Sequence, residues 1–181
     1  YGAGTIHTLF NPFFEVADNL ASCWMARQAM VDTFIILNGD TLFDLPVLQR
    51  LLEAPPRPIT LAIDCKALYD ADDMKVCVEG DRLTKVGKTL PLDSVDGESI
   101  GMMCFRPEGG ELFRAALERA MRTPEALKRW YLSMINEIAG STGQVFVQSI
   151  EGLGWGELDF PADLDVARVL VREWDSRAAQ G

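Results

Sequence analysis

Histidine is almost missing from this sequence. A single one, His7, occurs among 181 residues, which excludes multi-histidine zinc centres and argues against a histidine-centred catalytic triad. Cysteine is sparse and scattered. Cys23, Cys65, Cys77 and Cys104 form no C-x-x-C pair, so they read as buried, reduced thiols of a cytoplasmic protein. No apolar run approaches the ~20 residues of a membrane span, and the opening residues carry no secretory pattern. Basic residues are few: 17 Lys and Arg against 27 Asp and Glu give a net charge of −10. No Lys/Arg cluster interrupts that acidity, so neither nucleic acid nor an anionic membrane is an expected partner. A phosphate ligand would need a cation to accompany it. Against these absences stands an ordinary globular composition, 48% hydrophobic and 24% charged, which excludes a disordered chain.

Patterning alternates between strand and helix. Residues 5–10 read as a short strand closed by Asn11-Pro12. Asp18 or Asn19 caps a helix running to about Met30, with Leu20, Cys23, Trp24 and Arg27 along one side. Residues 33–37 (TFIIL) form a continuous apolar, β-branched run suited to a strand buried on both faces. A helix from Asp44 and Pro46 through Leu52, a strand over 59–63, and a hairpin of 76–78 and 83–86 around Gly80-Asp81 follow. Residues 100–105 predict a further strand, 111–121 an amphipathic helix, and Thr123-Pro124-Glu125 opens another helix carrying Trp130, Tyr131, Met134, Ile135 and Ile138. A strand over 145–150 and a last helix from Pro161 complete the reading, before an Ala/Gln/Gly tail expected to fray. The expectation is a single α/β domain over residues 1–181: a three-layer sandwich with a mixed, mostly parallel sheet and an inserted central hairpin.

Two places could carry chemistry. A buried strand delivers Asp40 at its carboxyl end, after Asn38 and the flexible Gly39. Ligands of open α/β sheets bind beyond the carboxyl ends of strands, and a carboxylate there suits Mg²⁺. Equally, Asn38-Gly39-Asp40 can be a turn in which Asp40 caps the residues that follow. In Trp155-Gly156-Glu157-Leu158-Asp159-Phe160-Pro161, Glu157 and Asp159 alternate around Leu158 and face one side of an extended chain. By itself Asp159 reads first as a helix cap. Together Asp40 and Asp159 make a candidate two-carboxylate magnesium site assembled from distant segments.

These segments also carry a resemblance. Asn19-Leu20-Ala21-Ser22-Cys23-Trp24 followed by Ala26-Arg27, then Asn38-Gly39-Asp40-Thr41-Leu42-Phe43-Asp44, resembles the phosphocholine cytidylyltransferase-like family of the sugar-nucleotidyltransferase group, with its GT-A-type fold. Met74-Lys75-Val76, Lys88, Gly97-Glu98-Ser99-Ile100-Gly101, Tyr131-Leu132 and the segment from Trp155 to Leu164 follow in that family's order. The resemblance implies Mg²⁺-dependent transfer of a nucleoside monophosphate, with CTP the nucleotide, onto a small phosphate or phosphonate such as phosphocholine. It assigns catalytic roles to Asp40, Asp159 and Lys88, with Lys85 the near alternative to Lys88. Asn38, Gly39, Glu98, Gly101, Tyr131, Trp155 and Glu157 would bind substrate. Tyr131 and Trp155 would form an aromatic wall for an ammonium head. Trp130 reads as core, and Asp64, Asp72 and Asp73 either attract that head or are exposed loop acids. A homodimer is compatible with the resemblance.

The family's first strand and its G-x-G-x-R phosphate loop have no counterpart here, and Tyr1-Gly2 resembles sequence that follows the family's second strand. The expectation is therefore an N-terminally incomplete domain, preceded in the intact protein by a buried strand and that loop. Two alternatives remain: a sugar-1-phosphate nucleotidyltransferase, and a non-catalytic binding or regulatory domain of the same fold. A glycosyltransferase with an Asp-x-Asp motif is disfavoured, because Asp40-Thr41-Leu42 breaks that pattern.

Overall fold

The computed structural model describes residues 6–178. Tyr1-Gly2, Thr5 and the C-terminal Ala/Gln/Gly lie outside them. Helix α1 (Asn19–Ala26) starts where Asp18 accepts a hydrogen bond from the Asn19 N–H at 2.7 Å, and it runs on into a 3₁₀ turn, Arg27–Ala29. Then come β1 (Phe34–Leu37), β2 (Thr41–Phe43), α2 (Leu45–Leu52) capped by Asp44, and β3 (Ile59–Asp64). The hairpin β4 (Lys75–Glu79) and β5 (Arg82–Gly87) turns at Gly80, whose φ is +66°. The chain continues through β6 (Gly97–Phe105), α3 (Pro107–Ala120), α4 (Leu132–Thr142), β7 (Val145–Ser149), β8 (Trp155–Glu157) and α5 (Asp163–Ala178).

Six strands form one mixed sheet in the order β1-β6-β3-β7-β5-β4, and β6 also pairs with β4. Every residue of β6 is buried, because its two faces serve two cores. Met103 and Phe105 pack with Ile59, Leu61 and Phe113 under α1, α3 and α4. Ile100, Met102 and Cys104 pack with Val47 and Leu51 of α2. Helices on both faces make the expected three layers. Burying a Leu, Ile, Phe or Met side chain contributes about 1.5–3 kcal/mol, so this strand and its neighbours dominate stability. All four cysteines are free thiols. Among the described residues no helix is long and apolar enough to cross a membrane.

Four expectations need correction. The mixed sheet is present, but among the described strands only β3–β7 pairs parallel, and the other pairings are antiparallel. The antiparallel β6 sits between β1 and β3 and sets that balance. Strand β1 is half-buried rather than buried on both faces, and Leu37 is exposed, because β1 lies at the edge of the described sheet. Residues 6–10 are irregular, with Ile6, Leu9 and Phe10 exposed and no strand partner among the described residues. The helix expected from residue 123 is two pieces, a 3₁₀ turn at Pro124–Lys128 and α4, separated by an extended Arg129 (φ −111°, ψ 142°). Tertiary hydrogen bonds hold that break open: the N–H groups of Asp18 and Leu20 donate to the carbonyls of Leu127 and Arg129.

Gly109, in the first turn of α3, lies directly on the chain leading into β3. A Cβ there would stand 1.9 Å from the Pro58 carbonyl oxygen and 2.7 Å from Ile59 Cγ1. Gly→Ala within a helix ordinarily stabilises by up to ~1 kcal/mol. Here the sign reverses: Gly109→Ala is expected to destabilise by about 1–3 kcal/mol, measured as a lower urea midpoint.

Candidate functional site

Two three-residue strands, neither of them anticipated, build one wall of the site. Strands β2 and β8 pair antiparallel, Thr41 opposite Glu157 and Phe43 opposite Trp155. The ladder extends one bond further, with the Leu158 N–H donating to the Asp40 carbonyl at 3.0 Å. This places the segments holding Asp40 and Asp159 side by side. The Asp163 carboxylate accepts from the N–H groups of both Asp159 and Phe160, at 3.0 and 2.7 Å. Asp163, the first residue of α5, thus braces the turn leading into the helix, and the Asp159 carboxylate caps no N–H among the described residues. Among the described residues neither the Asp40 nor the Asp159 side chain has a hydrogen-bond or ion-pair partner. Glu157 stands beside them, its carboxyl pushed up by burial and then by the charges of Asp159 and Asp40. The like charges of Asp40 and Asp159 thus make it harder for Glu157 to carry its own.

Asn38 forms the floor beside them. Its N–H donates to the Gly101 carbonyl at 2.9 Å, and its side-chain oxygen accepts from the Tyr131 hydroxyl at 2.7 Å. The Tyr131 N–H in turn donates to the Asn19 side chain at 2.9 Å. Tyr131 is buried, which raises its phenol well above the ordinary value, so it stays a donor. Gly101 has φ +71°, and a Cβ there would stand 2.5 Å from Asn38 Nδ2. It marks the register shift in the β3–β6 ladder. That bulge turns the first residues of β6 toward β4.

The facing wall is the loop between β3 and β4 together with the end of β5. One ammonium, Lys66 Nζ, lies 2.9 Å from both Asp73 and Glu98. Asp73 is held below its ordinary value: burial is the largest single influence and works against its charge, but the hydrogen bonds from Lys66, the Asp70 N–H and Glu98, with the Lys66 charge, together outweigh it. Glu98, 4% exposed, is pushed up to about 7, burial and the Asp73 partner outweighing Lys66. Lys75 is 2% exposed and pairs with no carboxylate among the described residues. Its ammonium donates instead to the carbonyls of Asp70, Asp73 and Lys88. Lys88 reaches Asp72 at 3.5 Å and lies over the Trp130 ring, 4.9 Å from its centroid.

Between the walls is a cleft of about 610 Å³, within the range of small-molecule sites. Of the residues singled out from sequence, Asn38, Asp40, Lys88, Glu98, Gly101, Tyr131, Glu157 and Asp159 all line it. Gly39 and Trp155 do not. Trp155 is corrected: its indole N–H donates to Asp64 at 2.8 Å and its ring packs on the α2-side core. Tyr131 presents no open ring face, since its body is buried and its hydroxyl is committed to Asn38. Trp130, read as core from sequence, is 42% exposed and on the cleft. The extended Arg129 turns it outward, a break that helical spacing does not reveal. Lys66 and Asp70 were also missed; the only trace was a lone lysine within an aspartate-rich stretch.

No protein-family model matches the chain, and no curated protein matches it. Solved structures do match. The inositol-1-phosphate CTP transferase of T. maritima aligns at TM-score 0.70 and 20% identity over 89% of this chain. The CTP:phosphocholine cytidylyltransferase of Streptococcus pneumoniae aligns at TM-score 0.69 and 15% identity over 90%. A CMP:2-keto-3-deoxy-manno-octonic acid synthetase complexed with CTP aligns at 0.54 and 18% over 82%. The chain has the nucleotidyltransferase fold. It spans 64%, 68% and 67% of those three chains.

The Glu98 carboxyl ties this wall to pH. Its proton is held more tightly in the folded protein (about 7) than at its ordinary value of 4.5. Its stabilising contribution is therefore complete below about 4.5 and is lost as pH rises through 7. Glu98→Gln cannot titrate, so its stability relative to wild type is expected to improve from pH 4.5 to 7.5. Urea unfolding of both proteins across that range checks it; a constant difference would refute the assignment.

Proposed function

We propose that this chain carries the metal and acceptor side of a nucleotidyl-transfer site. In the reaction, an acceptor phosphate or phosphonate oxygen attacks the α-phosphorus of a nucleoside triphosphate, CTP in this reading. The new P–O bond forms as the bond to the bridging oxygen breaks, and pyrophosphate leaves with that electron pair. The nucleophile is already an anion, so no general base is needed. This suits a chain with a single histidine, exposed and away from the cleft. The difficulty lies in bringing anions together in an acidic cleft.

One observation carries the reading: the β2–β8 ladder seats Asp40 and Asp159 on one cleft wall, opposite Lys88, with no partner for either side chain among the described residues. Magnesium needs only one or two carboxylates besides water and substrate phosphates. Among the described residues no three acid, Cys or His side chains gather into an all-protein metal centre, so the donor set fits Mg²⁺ shared with a ligand rather than a closed structural site. Asp40 and Asp159 would hold it; when bound, a divalent cation neutralises charge on the reacting phosphates. Asn38, fixed by Tyr131, offers its side-chain amide to the same floor. Lys88 pairs with the acceptor's phosphorus group.

The acceptor is a zwitterion of the phosphocholine or aminoalkylphosphonate class. The exposed face of Trp130 and the carboxylates of Asp70, Asp72 and Asp73 line the same cleft as Lys88, which suits a cationic head and gives a sugar phosphate nothing comparable. A turnover screen with CTP and Mg²⁺ against phosphocholine, 2-aminoethylphosphonate, inositol-1-phosphate and hexose-1-phosphates tests this. Preference for a hexose phosphate would overturn the acceptor class. Asp40→Asn and Asp159→Asn are each expected to lower pyrophosphate release roughly 100-fold or more with thermal unfolding unchanged. Full activity in either variant would remove the metal assignment.

A further inference from the structure

An ammonium already lies in the part of the cleft assigned to the acceptor's cationic head, and it belongs to the protein. Lys88 Nζ is 4.9 Å from the Trp130 ring centroid and 3.5 Å from an Asp72 carboxylate oxygen. An aromatic face and a carboxylate are the groups that recognise an organic cation. Asp72 is 95% exposed at its side chain and has no other ion-pair partner among the described residues. The pair is weak on its own, as exposed ion pairs are, but the backbone beneath it is fixed. Buried Lys75 donates to the carbonyls of Asp70 and Asp73 on one side and of Lys88 on the other, the last two at 3.3 and 3.0 Å. This three-way tether keeps the backbone of Lys88 beside the acidic loop and leaves its side chain, which is 33% exposed, outside the tether.

We propose that Lys88 is the resident occupant of the cation seat and that a zwitterionic acceptor displaces it. The ligand's ammonium takes the place on Trp130 and Asp72, and the released lysine pairs with the ligand's phosphate or phosphonate. This rests on the zwitterionic reading above and adds how the site enforces it. A cation without a phosphate must evict Lys88 and gives it no new partner. A phosphate without a cation draws Lys88 away and leaves the seat empty. Only the complete zwitterion satisfies both. By linkage, phosphate binding and cation binding reinforce one another to the same degree.

Calorimetric titration of the 181-residue chain with tetramethylammonium, inorganic phosphate and phosphocholine tests the exchange. In the wild type, phosphate is expected to tighten tetramethylammonium binding. Lys88→Gln leaves the Lys75 tether intact, because that bond uses the Lys88 backbone carbonyl. It is expected to bind tetramethylammonium roughly five- to tenfold more tightly than wild type and phosphocholine more weakly, with no remaining effect of phosphate on the cation. Lys85→Gln makes the same charge change at an exposed position of β5 outside the cleft lining, and is expected to stay within about twofold of wild type; a gain equal to that of Lys88→Gln would mean bulk charge alone and overturn the proposal. Trp130→Ala added to Lys88→Gln should abolish the gain. Should tetramethylammonium bind Lys88→Gln no better than wild type while phosphocholine still binds wild type, the exchange falls and the zwitterionic acceptor stands. Should neither cation bind wild type or Lys88→Gln, both fall.

Discussion

The ladder between β2 and β8 is only three residue pairs long, yet the arrangement of the cleft depends on it. It joins the segment leaving β1 to a segment more than a hundred residues later, and it is locked at several points. Thr41 is buried and its hydroxyl donates to the Ile100 carbonyl at 3.0 Å. The Asp44 N–H donates to the Gly154 carbonyl at 2.8 Å, and the Trp155 indole to Asp64 at 2.8 Å. A two-stranded ribbon is marginal by itself in water. These anchors to β6, β3 and the α2-side core make it a fixed part of the fold, and with it the spacing of Asp40 and Asp159.

The same economy governs the second wall. Three lysines sit among aspartates and glutamate, and each does something different because its surroundings differ. Lys66 neutralises two carboxylates at once and leaves Glu98 the weaker holder of charge. Lys75 is buried without an acid and spends its donors on backbone carbonyls, so it organises chain rather than charge. Lys66 also lies over a ring, that of Tyr69, but of the three only Lys88 reaches a ring that lines the cleft, Trp130. An acidic cleft that must accept phosphorus anions is thereby divided into a carboxylate wall suited to metal and a wall where cation and anion sites adjoin.

Gly101 connects the two walls. Its left-handed conformation lets β6 change partners midway, from β1 to β4, and its missing side chain makes room for Asn38. Asn38 is then held from above by Tyr131, whose own backbone is pinned by Asn19 at the start of α1. A strand irregularity, a helix break and a helix start thus converge on a single side-chain amide in the floor of the cleft.

Much of this was legible from residues alone. Composition and alternation specified an α/β sandwich; Asp18, Asp44, Gly80 and the proline breaks bounded elements within a residue or two, because caps and turns are local chemistry. The ordered motifs of the resemblance also named most of the cleft, whereas local pattern by itself left Asp40 balanced between ligand and turn and read Asp159 first as a helix cap. What local pattern could not supply was partnership. Strand direction depends on which segments lie side by side, and β6, central and antiparallel, overturned the expectation of a mostly parallel sheet. Trp130 and Trp155 departed from their expected places for the same reason: Trp130 read as core and Trp155 as an aromatic wall, and only the extended Arg129 and the Asp64 carboxylate, each a tertiary matter, decided which ring faced the cleft and which packed, partly buried, against the core.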